Sequence, residues 1–527
     1  MSFPLTSVMQ SVPAKKICPG WLLCALPSLS DCLFLAVMSW LFISGSGWAV
    51  LLSDGDTGWH IRTGEFILDT HSVPTHDLFS FSRAGAEWFS WEWLSDVGFA
   101  IAHRLGGLKG VVLLSGIVIS ICATLLFRHM IWRGANIFAA LFATLLALSA
   151  SSVHYLARPH LFTLLLIAIS AWIVDRDRRH ETPWIWVLAP LSALWANLHG
   201  GFLALFVSLG CLILDAIVRL LLEERAHRRS HRLFRYTAVT LSCLASTLLN
   251  PYGWRLHLHI ARYLNSDWIL QAVDEFQSPN FRSESMFQFE VLLFAGLGIL
   301  AILIAKKRFY ETFLILFWAQ AALRSVRHVP IFALIAAPVL ASELTLIWAK
   351  WTASKPDRSI PGLLRDLLDE FPIHCKRTSI WPVALCGFLA LGPLVSSWPR
   401  DFPENKFPTA TLNRNYGLIA GTQGRPSRVL TSDQWGDYLI YRLYPHHGVF
   451  VDGRSDFYGA SLGRDYLDLM NAQRGWQQLL KRYDFNVALL PSNWALSELL
   501  KCDPGWRARY HDSQATLFER KDFSMAN

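Results

Sequence analysis

The chain alternates between long apolar runs and short polar connections. Runs that approach the roughly 20 residues a helix needs to cross a bilayer core occur at about 31–52, 108–127, 137–154, 160–175, 184–197, 202–221, 236–250, 288–305, 310–323, 329–349 and 379–397. They predict about eleven transmembrane helices. The runs at 184–197 and 310–323 are short, which suits a re-entrant or tilted segment. Two stretches break the pattern. Residues 53–107 form the longest connection between adjacent runs, and beyond about residue 400 the long apolar runs stop. In the first stretch, Pro74 and Asp77 of VPTHD mark a turn. From Trp91 the period becomes helical: Trp91, Leu94, Val97, Gly98, Ile101 and Leu105 share a face, with Glu92, Asp96 and His103 elsewhere. Such a Trp-rich amphipathic helix either lies in the headgroup plane or packs on another outer element. In the second stretch, PSRVLTSDQWGDYLIYRLYP, GVFVDGRSDFYG, DFNVALLP and QATLFERK read as short strands, and YLDLMNAQRGWQQLLKRY reads as helical. The expected architecture is an α-helical polytopic membrane domain over residues 1–399, with a large first outer loop at 53–107, then a soluble extracytoplasmic α/β domain over 400–527.

Composition sharpens this picture. Of 527 residues, 53% are hydrophobic and only 17% are charged, against about a quarter charged in soluble domains. The 23 tryptophans suit interfacial belts. The nine cysteines show no paired spacing, so no zinc or disulfide framework is readable. The net charge of +8 needs no nucleic acid to explain it. With the N-terminus placed inside, each cytoplasmic connection is enriched in Lys and Arg, as in EERAHRRSHRLFR, while the longer outer connections hold fewer. This is the positive-inside distribution, and the inner runs read as solvated charge beside anionic lipid. No small-residue cleavage site follows Lys15 and Lys16, so the first run reads as an uncleaved span. An odd number of spans then puts the C-terminal domain outside.

Polar residues beside the spans also sort by side. Asp54, Asp56, His60, Glu92, His154, Arg158, His160, Asn197, His199, Asn250, Arg324, Arg327 and His328 all fall on the outer face. Ionisable groups at membrane depth are costly and mark function by default; snorkelling and interhelical hydrogen bonds are the alternatives. In LLSDGDTGWH, Asp54 can simply end the first span and Asp56 can cap the next helix. The other reading makes Asp56, Asp54 and His60 catalytic, with Arg158, His160, Arg324, Arg327, His328 and Glu92 binding substrate. A carboxylate can take a proton from a sugar or other hydroxyl. Arg and His cations can stabilise the phosphate of a departing lipid carrier. A divalent metal, Mg2+ or Mn2+, held by Asp54 and Asp56 can share that task. In VDGRSDFYG, Asp452, Arg454, Asp456 and Tyr458 follow an expected strand. They form either a ligand site or a turn locked by an Asp–Arg pair.

This layout resembles the GT-C superfamily of membrane glycosyltransferases: many spans, an Asp-containing motif in the large outer loop after the first span, and a C-terminal soluble domain. DGDTGWHIRTG, RPHLF and VDGRSDFYG are also similar to bacterial multi-span proteins grouped as glycosyltransferase-like. The resemblance implies a bacterial inner-membrane enzyme. It would transfer a sugar from a polyprenyl-phosphate donor to a glycan, lipid or protein acceptor, with membrane lipids and no nucleic acid as partners. The WWDYG signature of oligosaccharyltransferases is missing, so transfer of an oligosaccharide to Asn is not indicated. Two other classes stay open: a transporter or flippase of lipid-linked glycans, and a non-catalytic component of envelope assembly. A transporter should show internal repeats and mid-span charges, and neither is evident.

Overall fold

The computed structural model describes residues 26–43, 47–222, 226–370, 379–391, 398–422 and 425–523. Lys15, Lys16, Arg225, Lys376 and Arg377, all counted as inner charges, lie outside the described residues, as does 392–397 of the last apolar run. Each predicted run falls on helix. By length and composition five helices can cross a bilayer: Trp93–Trp132, Ile137–His154, Gly200–Leu222, Met286–Ala305 and Val326–Thr352. Leu29–Phe42 and Trp381–Leu391 are apolar but shorter, and the run at 184–197 begins with a 3-10 turn, Pro183–Val187. Among the described residues, then, five of the expected spans are long and apolar enough to cross on their own. The other runs are cut short by charge or by turns and pack as helices within the same bundle. Its interior is filled by large side chains such as Phe127, Trp195, Phe289 and Phe332, while Phe138, Leu145, Phe234 and Phe294 face outward. So much exposed apolar surface requires lipid around it.

The outer loop is ordered by two helices. Thr57–Thr70 packs along the first part of Trp93–Trp132. Gly64 makes that close approach possible, because a Cβ there would lie 2.0 Å from the Asp96 carbonyl oxygen. The second helix changes direction at Gly106 and Gly107, the latter with φ +60°. The expected amphipathic segment therefore leads across this kink into the span at 108–127, and its packing partner is Thr57–Thr70.

The C-terminal part carries a four-stranded sheet in the order Val429–Leu430, Val487–Pro491, Ala515–Arg520, Trp506–His511. The first pair is parallel and the others antiparallel. DFNVALLP and QATLFERK supply two of these strands, as expected. SDQWGDYLIYRL does not: it forms the helix Asp433–Leu443, started by the Ser432 side chain accepting the Trp435 N–H at 3.2 Å. In GVFVDGRSDFYG only Val449 makes a β contact, and that is with the outer loop. The Phe81 N–H donates to the Val449 carbonyl at 2.9 Å, and the Val449 N–H to the Phe79 carbonyl at 2.8 Å. The soluble domain is thereby sewn onto residues 53–107.

Candidate active site at the outer loop

The site begins in the turn after the first span. Asp54 Oδ1 accepts the Asp56 backbone N–H at 2.9 Å, so the acidic side chain makes its own turn. Asp56 precedes the helix Thr57–Thr70, yet its side chain caps nothing; only its carbonyl does, accepting the His60 N–H at 3.1 Å. The carboxylate is left for a tertiary partner, Arg158. Pro159 presets the start of His160–His180, and the guanidinium just before it meets three carboxylates. Nη1 lies 2.9 Å from Asp54 Oδ2 and 2.5 Å from Glu275 Oε1, and Nη2 lies 2.9 Å from Asp56 Oδ2. Glu275 continues to Arg327 Nη2 at 3.3 Å, and Arg327 donates to the Tyr263 hydroxyl at 3.4 Å.

The C-terminal domain closes this network. Gln434 Oε1 accepts the Gly55 N–H at 2.7 Å, seating the helix Asp433–Leu443 on the acidic turn. Asp437 is thereby brought beside Asp56, both facing Gly453. Asp56 Oδ1 and Asp437 Oδ2 are buried without a hydrogen-bond partner, and a proton shared between the two carboxyls would satisfy both. Asp437 Oδ1 accepts the Gly453 N–H at 3.0 Å. Gly453 permits this approach, since a Cβ there would lie 1.9 Å from Asp56 Oδ1 and 3.1 Å from Asp437 Oδ2 and would push the carboxylate aside. Burial pushes the Asp56 carboxyl up to about 7, against the pull of Arg158. Burial, followed by the charge of Asp56, raises Asp437 well above the ordinary carboxylic range.

A second branch adjoins the first. His60 Nδ1 meets Asp96 Oδ1 at 2.6 Å, and its Nε2 faces Glu92 Oε2 at 3.8 Å. From the other side His199 Nε2 faces Glu92 Oε1 at 3.4 Å. His199 Nδ1 accepts the Gly201 N–H at 3.0 Å, which puts the ring proton on Nε2, toward Glu92. Burial lowers His60 well below the usual imidazole value and His199 to about 3, so both rings are neutral. Burial lifts Glu92 to about 8, so it keeps its proton at neutral pH.

Asp54, Asp56, Arg158 and Arg327 therefore share one connected network, and His60 and Glu92 form the branch beside it. His160 stands next door, donating from Nε2 to the His154 carbonyl at 2.6 Å. Arg324 and His328 are not brought in. Arg324 is exposed, with no side-chain hydrogen bond or ion pair among the described residues, and His328 Nδ1 donates to the Ala321 carbonyl at 3.2 Å. Sequence reasoning missed Glu275 and Asp437. Glu275 lies in a 3-10 turn, Asp274–Phe276, where no periodicity marks a residue. Asp437 lies in a stretch that reads as a strand, where one polar position carries no signal; docking of the helix Asp433–Leu443 against residues 53–107 is what buries it.

Asp54 and Asp56 do not fit a divalent-metal site. Both already meet the Arg158 guanidinium. Among the described residues no three His, Cys, Asp or Glu side chains are placed to hold a metal ion. VDGRSDFYG forms the locked turn rather than an open pocket. Arg454 donates to Asp452 at 2.6 and 2.8 Å and to Asp77 at 2.8 Å, and the Tyr458 hydroxyl donates to Asp452 at 2.7 Å. Its guanidinium lies between the rings of Phe79, Trp88 and Phe457. Asp77 belongs to the outer loop, so this buried pair fastens one domain to the other.

Comparison with solved structures finds the same fold. The apo oligosaccharyltransferase of Archaeoglobus fulgidus matches with a TM-score of 0.52 at 13% identity, over 88% of this chain and 69% of that one. AglB from the same organism, in complex with an inhibitory peptide and a dolichol-phosphate, gives 0.53 at 12% identity over 94% and 75%. ArnT from Cupriavidus metallidurans bound to undecaprenyl phosphate gives 0.48 at 13% identity over 92% and 97%. No protein-family model and no curated protein matches the chain. The fold is similar to that of the Archaeoglobus fulgidus oligosaccharyltransferase structures, a polytopic helical bundle with a C-terminal α/β part.

Proposed function

We propose that this chain transfers a sugar from a polyprenyl-phosphate-linked donor to an acceptor at the outer face of the membrane, with the N-terminus in the cytoplasm and the C-terminal domain outside. The observation that carries this reading is Asp56, a buried carboxyl held near neutrality by its surroundings and placed between two arginines' network and an extramembrane domain. The AglB structure with a similar fold was solved with a lipid phosphate and a peptide, which supports a lipid-phosphate donor here. The arginine-rich connections at the opposite end support the orientation.

In this reaction the acceptor hydroxyl gives its proton to Asp56 as its oxygen bonds the anomeric carbon. The bond from that carbon to the lipid-phosphate oxygen breaks, and its electron pair leaves with the phosphate. A base with a pKa near the working pH is well matched to such a step. Arg327 receives the departing phosphate. Among the described residues its only charged partner is Glu275 at 3.3 Å, so it has donors to spare. Arg158 holds Asp54, Asp56 and Glu275 in register and adds its charge to the same region. Glu92, protonated between two neutral imidazoles, can donate a hydrogen bond to the sugar.

Asp56→Asn tests this reading. Asn matches the size but cannot accept a proton. Turnover with polyprenyl-phosphate sugars should fall by about 10²-fold or more while the protein still inserts and folds. Turnover close to that of the unchanged chain would remove Asp56 from the mechanism.

A further inference from the structure

The far end of the bundle holds a second charged cavity, of about 660 Å³, that the transfer reaction does not use. The helix His160–His180 spans the distance between the two sites. Arg178 is 18 residues along it from His160, about 27 Å at 1.5 Å per residue. Six arginines line the cavity: Arg133, Arg178, Arg179, Arg219, Arg232 and Arg308. Their carboxylate partners are Asp175, Asp215 and Glu311 in the lining, with Glu343 and Glu181 behind it. Lys306 shares Glu343 with Arg308. Among the described residues seven cations thus meet five carboxylates, and the six arginines keep their charge because arginine does not give up its proton.

The excess has an address. Arg179 has no carboxylate partner among the described residues. It donates to the Trp132 and Arg133 carbonyls at 3.5 and 3.2 Å and lies 4.3 Å from the Trp132 ring centroid. Arg133, by contrast, is nearly buried and holds Asp175, so the floor is rigid and its charges are preorganised. A narrow crevice of about 40 Å³ adjoins the cavity, sharing Arg133, Asp175 and Glu311 and lined also by His129, Tyr310 and Leu314.

We propose that this cavity binds a phosphate group, carried by a lipid headgroup or as a free anion. Basic pockets between membrane helices bind phosphate headgroups by this combination of charge and shape, and arginine forks match phosphate oxygens in pairs. The proposal stands apart from Asp56 and from the transfer reaction.

The full chain in phosphatidylcholine nanodiscs decides it in two arms. One dopes the discs with phosphatidic acid and reads its retention on the protein by native mass spectrometry. The other titrates inorganic phosphate and reads heat. Retention of phosphatidic acid alone identifies a lipid headgroup; uptake of inorganic phosphate identifies a free anion; either supports the site. Arg179→Glu should weaken the positive arm tenfold or more. Leu346→Glu adds a negative charge to the lining at an exposed position without breaking any ion pair, and should do the same. Asp56→Asn should bind like the unchanged chain. No uptake in either arm, or uptake that both glutamate variants leave unaltered, overturns the proposal.

Discussion

The two ends of the helix bundle are built from the same interaction and balanced in opposite directions. At the outer end six carboxyl groups, on Asp54, Asp56, Glu92, Asp96, Glu275 and Asp437, gather around two arginines, Arg158 and Arg327. At the other end, among the described residues, seven cations meet five carboxylates. A buried excess of acid can be relieved by keeping protons, because carboxyl groups change charge when burial raises their pKa. Asp56 near 7 and Glu92 near 8 are the result. An excess of arginine has no such release, and a bound anion can neutralise it. One end is thereby suited to moving protons and the other to holding an anion. Both look alike in sequence, as scattered Arg, Asp and Glu beside apolar runs.

The largest expected break in this contrast comes from Arg158→Leu. It leaves Asp54, Asp56 and Glu275 buried with no shared cation. Losing one partner of a buried ion pair costs about 3–5 kcal/mol, read as the loss of unfolding free energy in detergent, and transfer activity should vanish with it. Arg158→Lys keeps the charge but loses the fork, so it should recover part of the stability and little of the turnover. Next comes Gly453→Ala. Its Cβ would displace the Asp56 carboxylate, and the crowding costs about 1–3 kcal/mol. Turnover should fall tenfold or more even where the protein folds, and an Ala variant with full activity would mean that the Asp56–Asp437 contact is dispensable.

A smaller effect is expected in pH dependence. Turnover should rise with pH through about 7, because Asp56 must be ionised to accept a proton. It should fall again through about 8, as Glu92 loses its proton. A proton that Asp437 shares with Asp56 favours the ionised form of Asp56, so Asp437→Ala should move the lower limb to higher pH. A limb that stays in place would exclude Asp437 from the proton-holding pair. The smallest effect belongs to the opposite end. Arg179 lies on no carboxylate, and its replacement by Glu should leave unfolding within about 0.5 kcal/mol of the unchanged chain.

Much of the scaffold was legible because it is written in local periodicity. Every apolar run became helix, and the turn of LLSDGDTGWH and the charge of RPH did meet, as Asp54, Asp56 and Arg158. What local pattern cannot encode is which polar position a distant element will bury. Asp437 became part of the site through Gln434 and Gly453, contacts several hundred residues from Asp56 along the chain. Arg324 and Arg327 illustrate the same limit from the other side. They sit three residues apart on the same outer connection, yet one faces solvent and the other reaches Glu275, because the 3-10 turn Val326–His328 rotates them apart. Strand expectations erred where a helix cap intervened: Ser432 closes the first turn of SDQWGDYLIYRL, and its branched and aromatic residues then line one face of a helix.

The central claim is that the outer network stores a proton on the Asp56–Asp437 pair near neutral pH, and infrared titration of the full chain reads this without any substrate. The carbonyl stretch of a protonated carboxyl, taken as the difference between the unchanged chain and Asp56→Asn, should disappear with a midpoint near pH 7. A difference spectrum with no carboxyl titrating between about pH 5 and 9, well above the ordinary aspartate value near 3.9, would contradict it and leave Asp56 an ordinary ionised partner of Arg158.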